Sequence, residues 1–253
     1  MSGLLDDQVV AVFAATGAVG RAVAERCLAE GATVVASGRQ RDAVDELGRS
    51  LPGLVWTDVV DAARPVEVAA HLDQVVEDLG GLDGVFNGIG GRPHLLGYPE
   101  AVDAMTVEQF LLPIGTICGS AYVTSVEAGS RMRSGGSIVT MSATLSSMTA
   151  ANMVNISAAC GAVEAMTRSL AGELGPSGIR VNCVRASAMP DTRTIRETSE
   201  HQAALGMDIV RAAPPICRAV TVEDTAATVA FLLSAHAAAT TGQTLTVCGG
   251  QFV

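Results

Sequence analysis

Short apolar runs alternate with longer segments of helical periodicity along the whole chain, and this alternation restricts the fold more than any other feature of the sequence. Strands that alternate with helices join as right-handed βαβ units, which build a parallel sheet. We therefore predict an α/β fold, a Rossmann-like doubly wound parallel sheet of about seven strands with helices on both faces. The predicted strands are residues 8–14, 33–37, 53–57, 84–88, 136–141, 180–185 and 244–247, and the predicted helices are residues 19–30, 40–50, 62–79, 107–132, 151–174 and 222–233.

One domain, residues 1–253, accounts for the whole chain. Hydrophobic residues make up 49% of the sequence and charged residues 17%, which suffices for a large buried core and excludes disorder. Residues 186–219 break the alternation and carry Pro190, Pro214 and Pro215. Because a long irregular connection in a compact domain usually covers a binding site, we predict a loop there that resembles a substrate lid.

The net charge argues against nucleic acid as a partner, and interruptions of an uncharged stretch argue against a membrane. The chain has 16 basic and 26 acidic residues and a net charge of −10, whereas binding to nucleic acid needs a basic surface. Pro113, Gly115 and Gly119 interrupt the uncharged stretch 109–126. We interpret this stretch as a helix buried between packed surfaces and not as a membrane span. We therefore expect neither nucleic acid nor a membrane as a partner.

The six cysteines are scattered, and no Cys-x-x-Cys pair or histidine cluster accompanies them. This spacing predicts no metal site and is typical of a reduced cytoplasmic protein. Asp6 and Asp7 stand where an export signal would need a basic start, so we expect no export. All 16 basic residues are arginine, which excludes every reaction that needs a lysine amine.

A glycine-rich turn joins the first predicted strand to the first helix and reads Ala-Ala-Thr-Gly-Ala-Val-Gly-Arg over residues 14–21. Glycines in such a turn let the backbone approach a pyrophosphate while the helix amides point at it. Other motifs include Asn-Gly-Ile-Gly at 87–90 and Gly-Ile-Arg-Val-Asn at 178–182. With these motifs in order, the chain resembles the short-chain dehydrogenase/reductase family over nearly its whole length. The remaining matching segments are residues 34–39, 58–59, 136–139, 167–171, 241–243 and 249–250.

The resemblance implies an NAD(P)-dependent oxidoreductase that moves a hydride between a nicotinamide and a small carbonyl or alcohol. Members of the family use a Tyr and a Lys four residues apart on one helix face, a Ser on the preceding strand and an Asn on an earlier helix. The family spacing puts the first three positions at Ile156, Cys160 and Ala143, and the Asn position near Thr116 or Ile117. We therefore do not expect the family's Tyr and Lys mechanism here.

The resemblance also implies a dinucleotide site, in which the chain retains family residues for the adenine half. Ala14 replaces the first glycine of the turn, and a left-handed conformation there costs about 1–2 kcal/mol. Ser37 stands where an acidic residue would bind a 2′-hydroxyl, whereas Arg39 suits a 2′-phosphate. We expect NADP as the cofactor, with NAD or no cofactor as the alternatives. The residues that the resemblance assigns to it are Ala14, Thr16, Gly17, Val19, Gly20, Ser37, Arg39, Asp58, Val59, Asn87, Gly88 and Thr192.

His94 and Tyr98 follow the fourth predicted strand, at the sheet end where ligands bind in such folds. Either side chain could donate a proton to a substrate, and the alternative is an ordinary exposed loop. Cys160 lies on an apolar helix face, which predicts an inert core thiol. We further expect His71, His201 and His236 at the surface, Tyr122 at an interface and Trp56 in the core.

Two other functions stay open beside the oxidoreductase. A non-catalytic homologue could act as a structural or regulatory subunit, and a lyase or isomerase could use the cavity without redox chemistry. A dinucleotide retained by the purified protein would favour the oxidoreductase.

The stretch 109–126 and the small-residue helix 151–165 would expose large apolar patches on a monomer. We therefore expect a homo-oligomer, and the resemblance implies a tetramer.

Overall fold

A seven-stranded sheet forms the centre of the computed structural model, which describes residues 3–98, 100–204 and 214–251. The strands are β1 (Val9–Phe13), β2 (Thr33–Gly38), β3 (Trp56–Val59), β4 (Gly84–Asn87), β5 (Ser137–Ala143), β6 (Arg180–Ala186) and β7 (Thr244–Val247). Neighbouring strands all pair in parallel, in the order β3-β2-β1-β4-β5-β6-β7. The predicted doubly wound sheet is confirmed.

Helices cover both faces of the sheet. Those in the described residues are α1 (Ala18–Ala29), α2 (Arg41–Ser50), α3 (Pro65–Leu79), α4 (Val107–Pro113), α5 (Gly119–Gly129), α6 (Val154–Leu174), α7 (Arg193–Ala204) and α8 (Val222–Leu233). Side chains alternate between the faces along β1. Val10 and Val12 pack into a core with α1 and α8, whereas Ala11 and Phe13 pack into a second core with α3 and α6.

Three elements begin three residues later than predicted, each because of one special backbone position. β3 begins at Trp56 and not at residue 53, since Gly53 has a φ of 98°. α3 begins at Pro65 because the fixed φ of proline suits the first turn of a helix. α6 begins at Val154, after Asn152 in a left-handed conformation with a φ of 59°. Trp56 was expected in the core. It is only partly buried, and it packs against the second core.

The predicted helix 107–132 contains a π-helical turn, Ile114–Cys118, between α4 and α5. Pro113 has no amide hydrogen, so it leaves the carbonyl group four residues earlier without its helical donor. Asn155 of α6 donates its side-chain amide to that carbonyl, the Gln109 oxygen, at 3.3 Å. The irregular turn is thus held by a neighbouring helix.

The segment Val107–Gly129 is long and apolar enough to cross a membrane by length and composition, and 33% of its most apolar window is buried. The expectation that this helix lies buried between packed surfaces is therefore wrong for a single copy of the chain. Its exposed large apolar side chains are Val107, Leu111, Leu112, Tyr122 and Val126. They form a surface that a partner could cover.

The predicted irregular loop 186–219 contains a regular element. α7 occupies Arg193–Ala204, and residues 205–213 of the loop lie outside the described residues. α7 packs on the short 3₁₀ helix Pro93–Leu96, which follows β4. α7 therefore lies near the carboxyl end of β4, at the edge of the sheet where ligands bind in such folds.

Candidate functional site

The turn after β1 holds Ala14 in a left-handed conformation with a φ of 59°. The Gly17 amide donates to the Ala14 carbonyl oxygen at 3.0 Å and closes the turn. A Cβ atom on Gly20 would lie 2.2 Å from the same oxygen. Only glycine therefore allows α1 to approach the turn this closely. The chain keeps the turn although alanine is strained at its first position.

The amino end of α1 can accept an anion. Gly17 is an extended N-cap residue, no side chain caps this helix, and its first turn holds no acidic residue. The first amides of the helix are thus left without a side-chain acceptor, at the positive end of the helix dipole. Thr16 is exposed beside them, and Val19 is buried below. A pyrophosphate fits this turn both in charge and in its need for backbone donors.

We expect Ala14→Gly to raise the free energy of unfolding by about 0.5–1 kcal/mol. Relief of about 1–2 kcal/mol of left-handed strain exceeds the roughly 0.5–1 kcal/mol of entropy that glycine adds to the unfolded chain. Urea unfolding of both proteins measures the difference. Ala15→Gly is the control, because Ala15 has no positive φ and its replacement should destabilise. A loss of stability at both positions would contradict strain at Ala14.

β2 ends beside a cavity of about 470 Å³ that Arg39, Ile89 and Thr116 help to line. Within the described part of the chain, no carboxylate forms an ion pair with Arg39. The Ser37 hydroxyl is buried, with 1% of the residue exposed, and has no hydrogen-bond partner there. The strand end therefore offers an unpaired guanidinium group and no carboxylate at position 37.

Asp58 is the residue before the last in the neighbouring strand β3 and contacts His71 of α3. The His71 Nδ1 atom lies 3.1 Å from Asp58 Oδ2. His71 is 3% exposed, so the expectation of a surface position is wrong. The cause is the helix face: His71 shares it with Val68, Leu72 and Val75, which pack on the sheet.

Two other predicted cofactor residues use their side chains within the fold. Asn87 donates to Thr124 Oγ1 at 2.8 Å and accepts from the Ile89 amide at 2.9 Å. The Thr192 hydroxyl donates to the Met189 carbonyl oxygen at 2.8 Å, just before α7. The bonds of Asn87 position the loop after β4, and the bond of Thr192 positions the start of α7. A direct role of either side chain toward a cofactor stays a prediction.

The positions that the resemblance assigns to the family's Tyr, Lys and Ser meet in one small cluster. Ile156 and Cys160 lie one turn apart on α6, and Ala143 ends β5. The side chain of Tyr98 packs into the same cluster. Burial raises the pKa of the Cys160 thiol to about 11, which favours a thiol that stays protonated at neutral pH. The structure thus brings a phenol from another segment to these positions.

Tyr98 is held in place from two sides. Gln202 of α7 donates its side-chain amide to the Tyr98 hydroxyl oxygen at 2.6 Å. Gly97, with a φ of 85°, ends the preceding 3₁₀ helix and turns the chain toward the cluster. Asn155 donates to the last carbonyl oxygen of that helix at 2.7 Å. Because Tyr98 is 4% exposed, the exposed-loop alternative is wrong for this residue.

His94 lies on the same 3₁₀ helix, but its side chain contacts α7. Its Nε2 atom is 3.8 Å from Glu197 Oε2 of α7, and its ring centre is 6.3 Å from that of His201. Glu197 also accepts from Arg92 and Arg193, each at 2.6 Å, and these bonds lower its pKa to about 2. His201 was expected at the surface but is only partly exposed, whereas His236 is exposed as expected. These contacts hold α7 against the 3₁₀ helix and leave His94 outside the Tyr98 cluster.

A buried ion pair that the sequence reasoning missed lies one helical turn beyond Cys160. Glu164 is 7% exposed and accepts from Arg185 of β6 at 2.5 Å, Ser142 at 2.7 Å and Ser146 at 2.5 Å. Burial raises the pKa of Glu164, but these three donors outweigh it and leave the pKa below 4.5. A charged residue within an apolar strand, Arg185, was the available signal, since such a residue needs a buried partner.

Comparison with known proteins identifies relatives along almost the whole chain. The profile of a family described as enoyl-(acyl carrier protein) reductase matches residues 14–251. Meso-2,3-butanediol dehydrogenase of Serratia marcescens is 30% identical over 253 residues, which cover 97% of this chain and 94% of that protein. Peroxisomal 2,4-dienoyl-CoA reductase of Pongo abelii is 28% identical, with 99% of this chain and 85% of that protein covered.

Solved structures share the fold. A short-chain dehydrogenase from Burkholderia cenocepacia in complex with NADP has a TM-score of 0.83 and 27% identity, over 98% of this chain and 99% of that one. A 7α-hydroxysteroid dehydrogenase in complex with NADH and 7-oxoglycochenodeoxycholic acid has a TM-score of 0.85 and 26% identity, over 98% and 96% of the two chains.

Proposed function

Because the chain belongs to the short-chain dehydrogenase/reductase family, we propose that it is an NADP-dependent oxidoreductase of a small carbonyl or alcohol. The observation that carries the proposal is the uncapped amino end of α1, with the unpaired Arg39 at the end of the neighbouring strand β2. The amides suit the pyrophosphate, and the guanidinium group suits a 2′-phosphate. The relatives support this choice, since one solved neighbour binds NADP and several relatives are reductases.

The chain's own residues then supply the proton. A reduced nicotinamide, when bound, would supply the hydride for the substrate carbonyl carbon. Tyr98 would donate its hydroxyl proton to the carbonyl oxygen, which balances the reduction to the alcohol. Gln202 donates to the Tyr98 oxygen, so the hydroxyl hydrogen is free to point at the substrate. The resulting phenolate regains a proton from water. We prefer Tyr98 to His94 because Tyr98 contacts Ile156 and Cys160.

We expect Arg39→Ala to weaken NADP binding at least tenfold while NAD binding changes less than twofold. One charge-assisted contact contributes about 1.5–3 kcal/mol, and NAD lacks the 2′-phosphate. Titration calorimetry with both dinucleotides measures this. Arg49→Ala is the matched control, since Arg49 is an exposed arginine that pairs with Glu46. Equal affinity of the wild type for NADP and NAD would refute the preference, and no binding of either would refute the proposed function.

A second candidate function is a non-catalytic subunit. The observation in its favour is that Ile156, Cys160 and Ala143 form an apolar cluster around a tyrosine that is 4% exposed. A panel of ketones with NADPH, and of alcohols with NADP, separates the two functions. Turnover supports the oxidoreductase, whereas dinucleotide binding without turnover supports the subunit. A lyase or isomerase would turn over its substrate without consuming cofactor.

We further propose that the chain forms a homo-oligomer, a tetramer by analogy with the family, and acts in the cytoplasm. The six cysteines all lie within the described residues and form no disulfide there, which suits a reducing compartment. Light scattering should give about four times the chain mass of 25.8 kDa. Tyr122→Arg, on the exposed face of α5, should dissociate the assembly, whereas Val55→Arg should not. Tyr122 is 53% exposed and Val55 45%, so the pair is matched. A wild-type monomer at micromolar concentration would refute this.

A further inference from the structure

His71 is a histidine buried in an apolar core, and no step proposed so far uses it. Its side chain is 1% exposed on the face of α3 that packs against the sheet. The His71 ring meets the Phe13 ring edge to face, with centres 5.6 Å apart and an interplanar angle of 74°. Phe13 is the last residue of β1, directly before the phosphate turn. The imidazole is therefore fixed by packing, next to the candidate cofactor site.

Among the described residues, the polar partner of this imidazole is Asp58. His71 Nδ1 lies 3.1 Å from Asp58 Oδ2, and Asp58 Oδ1 accepts from the Val59 amide at 2.8 Å. Both carboxylate oxygens thus have a partner that fixes the side-chain torsion, although the Asp58 side chain remains 37% exposed. The hydrogen bond from His71 is the main cause that lowers the pKa of Asp58, and Arg41 contributes weakly.

Asp58 lies near the carboxyl end of β3, in register with Ser37 on β2, which is two residues before Arg39. Because Arg39 is the residue proposed to bind the 2′-phosphate, this register puts Asp58 beside the adenosine end of the candidate site. A fixed carboxylate at a site for a nucleotide base accepts a hydrogen bond from an exocyclic amine and repels a carbonyl oxygen. Adenine presents an amine at its C6 position, whereas hypoxanthine presents a carbonyl there. The two bases therefore test the orientation of this single carboxylate.

We propose that His71 is a positioning residue that fixes the Asp58 carboxylate, so that the site selects a purine with a 6-amino group over one with a 6-carbonyl group. This inference rests on the proposed function, because it requires a bound dinucleotide. It assigns to α3 a part in cofactor selection. A histidine that served packing alone would leave the choice between the bases unchanged.

Calorimetry with NADP and with nicotinamide hypoxanthine dinucleotide phosphate tests the proposal by binding alone. The wild type should bind the adenine form at least tenfold more tightly, because a hydrogen bond to a charged group contributes this much. His71→Leu should reduce the preference to less than threefold and change the affinity for the hypoxanthine form less than twofold. His71→Asn keeps a donor toward Asp58 and should restore part of the preference.

Asp58→Asn provides an independent route if His71→Leu does not fold. The neutral amide should also lose the preference, and the double variant His71→Leu/Asp58→Asn should lose no more than Asp58→Asn does, because both act through one contact. Equal weakening of both dinucleotides in His71→Leu, or an unchanged preference, overturns the positioning role and leaves the proposed function intact. A wild type that binds neither dinucleotide overturns both.

Discussion

Tyr98→Phe is expected to lower kcat for carbonyl reduction by about 10²–10⁴-fold, the contribution of a placed proton donor. Phenylalanine keeps the ring that packs against Ile156 and Cys160 but has no hydroxyl group to donate. The affinity for NADP should stay within twofold, because the phosphate turn and Arg39 are untouched. Steady-state kinetics with NADPH and the best ketone of the panel, together with calorimetry, measure both quantities.

Two controls make this result specific to Tyr98. Tyr122 is the only other tyrosine of the chain and lies exposed on α5, so Tyr122→Phe should leave kcat within twofold. His94→Gln tests the other proton-donor candidate and should likewise leave kcat nearly unchanged. If Tyr98→Phe retained wild-type kcat while His94→Gln lost it, the proton donor would be His94. If both variants retained it, the active site would lie elsewhere.

Arg185→Leu should lower the free energy of unfolding by about 3 kcal/mol at neutral pH, the lower end of the range for breaking a buried ion pair. The variant leaves the Glu164 carboxylate buried with only the hydroxyl groups of Ser142 and Ser146 as donors. We choose the lower end because the Arg185 side chain is 21% exposed in the wild type. Water can therefore replace some of the hydrogen bonds that the guanidinium group donates to Glu164. Urea unfolding at pH 7 measures the loss.

The double variant Glu164→Leu/Arg185→Leu separates the ion pair from the packing. It removes both charges and should recover most of the loss, since apolar replacement of a whole buried pair is often neutral. A double variant as unstable as Arg185→Leu would show that side-chain packing, and not an uncompensated charge, causes the loss.

The pH dependence of the wild type gives a second measurement of the same pair. The pKa of Glu164 is lower in the folded protein than its ordinary value of 4.5. The pair therefore contributes its full stability above that value and loses it as the pH falls through the folded pKa. In the double variant, the decline in stability below pH 4.5 should be shallower than in the wild type.

Local patterns in the sequence were sufficient for the sheet, its helices and the family. Strand and helix periodicities reflect burial on one or two faces, which neighbouring residues in the chain determine. Three elements began three residues later than predicted where a single backbone preference intervened, at Gly53, Pro65 and Asn152. The strain at Ala14 was also predictable, because the turn conformation is local and its steric cost to any residue with a Cβ is known.

The tertiary structure alone decided which side chains share the site. Tyr98 and Gln202 are 104 residues apart in the chain, and His71 and Asp58 are 13 apart on different elements. Glu164 and Arg185 meet only because α6 packs across β6. Sequence periodicity specifies that a face is buried, but the partner on that face depends on strand order and loop geometry. For this reason the sequence by itself determined the scaffold, whereas only the packed fold brought Tyr98 to Ile156, Cys160 and Ala143, the positions that the resemblance assigns to the family's Tyr, Lys and Ser.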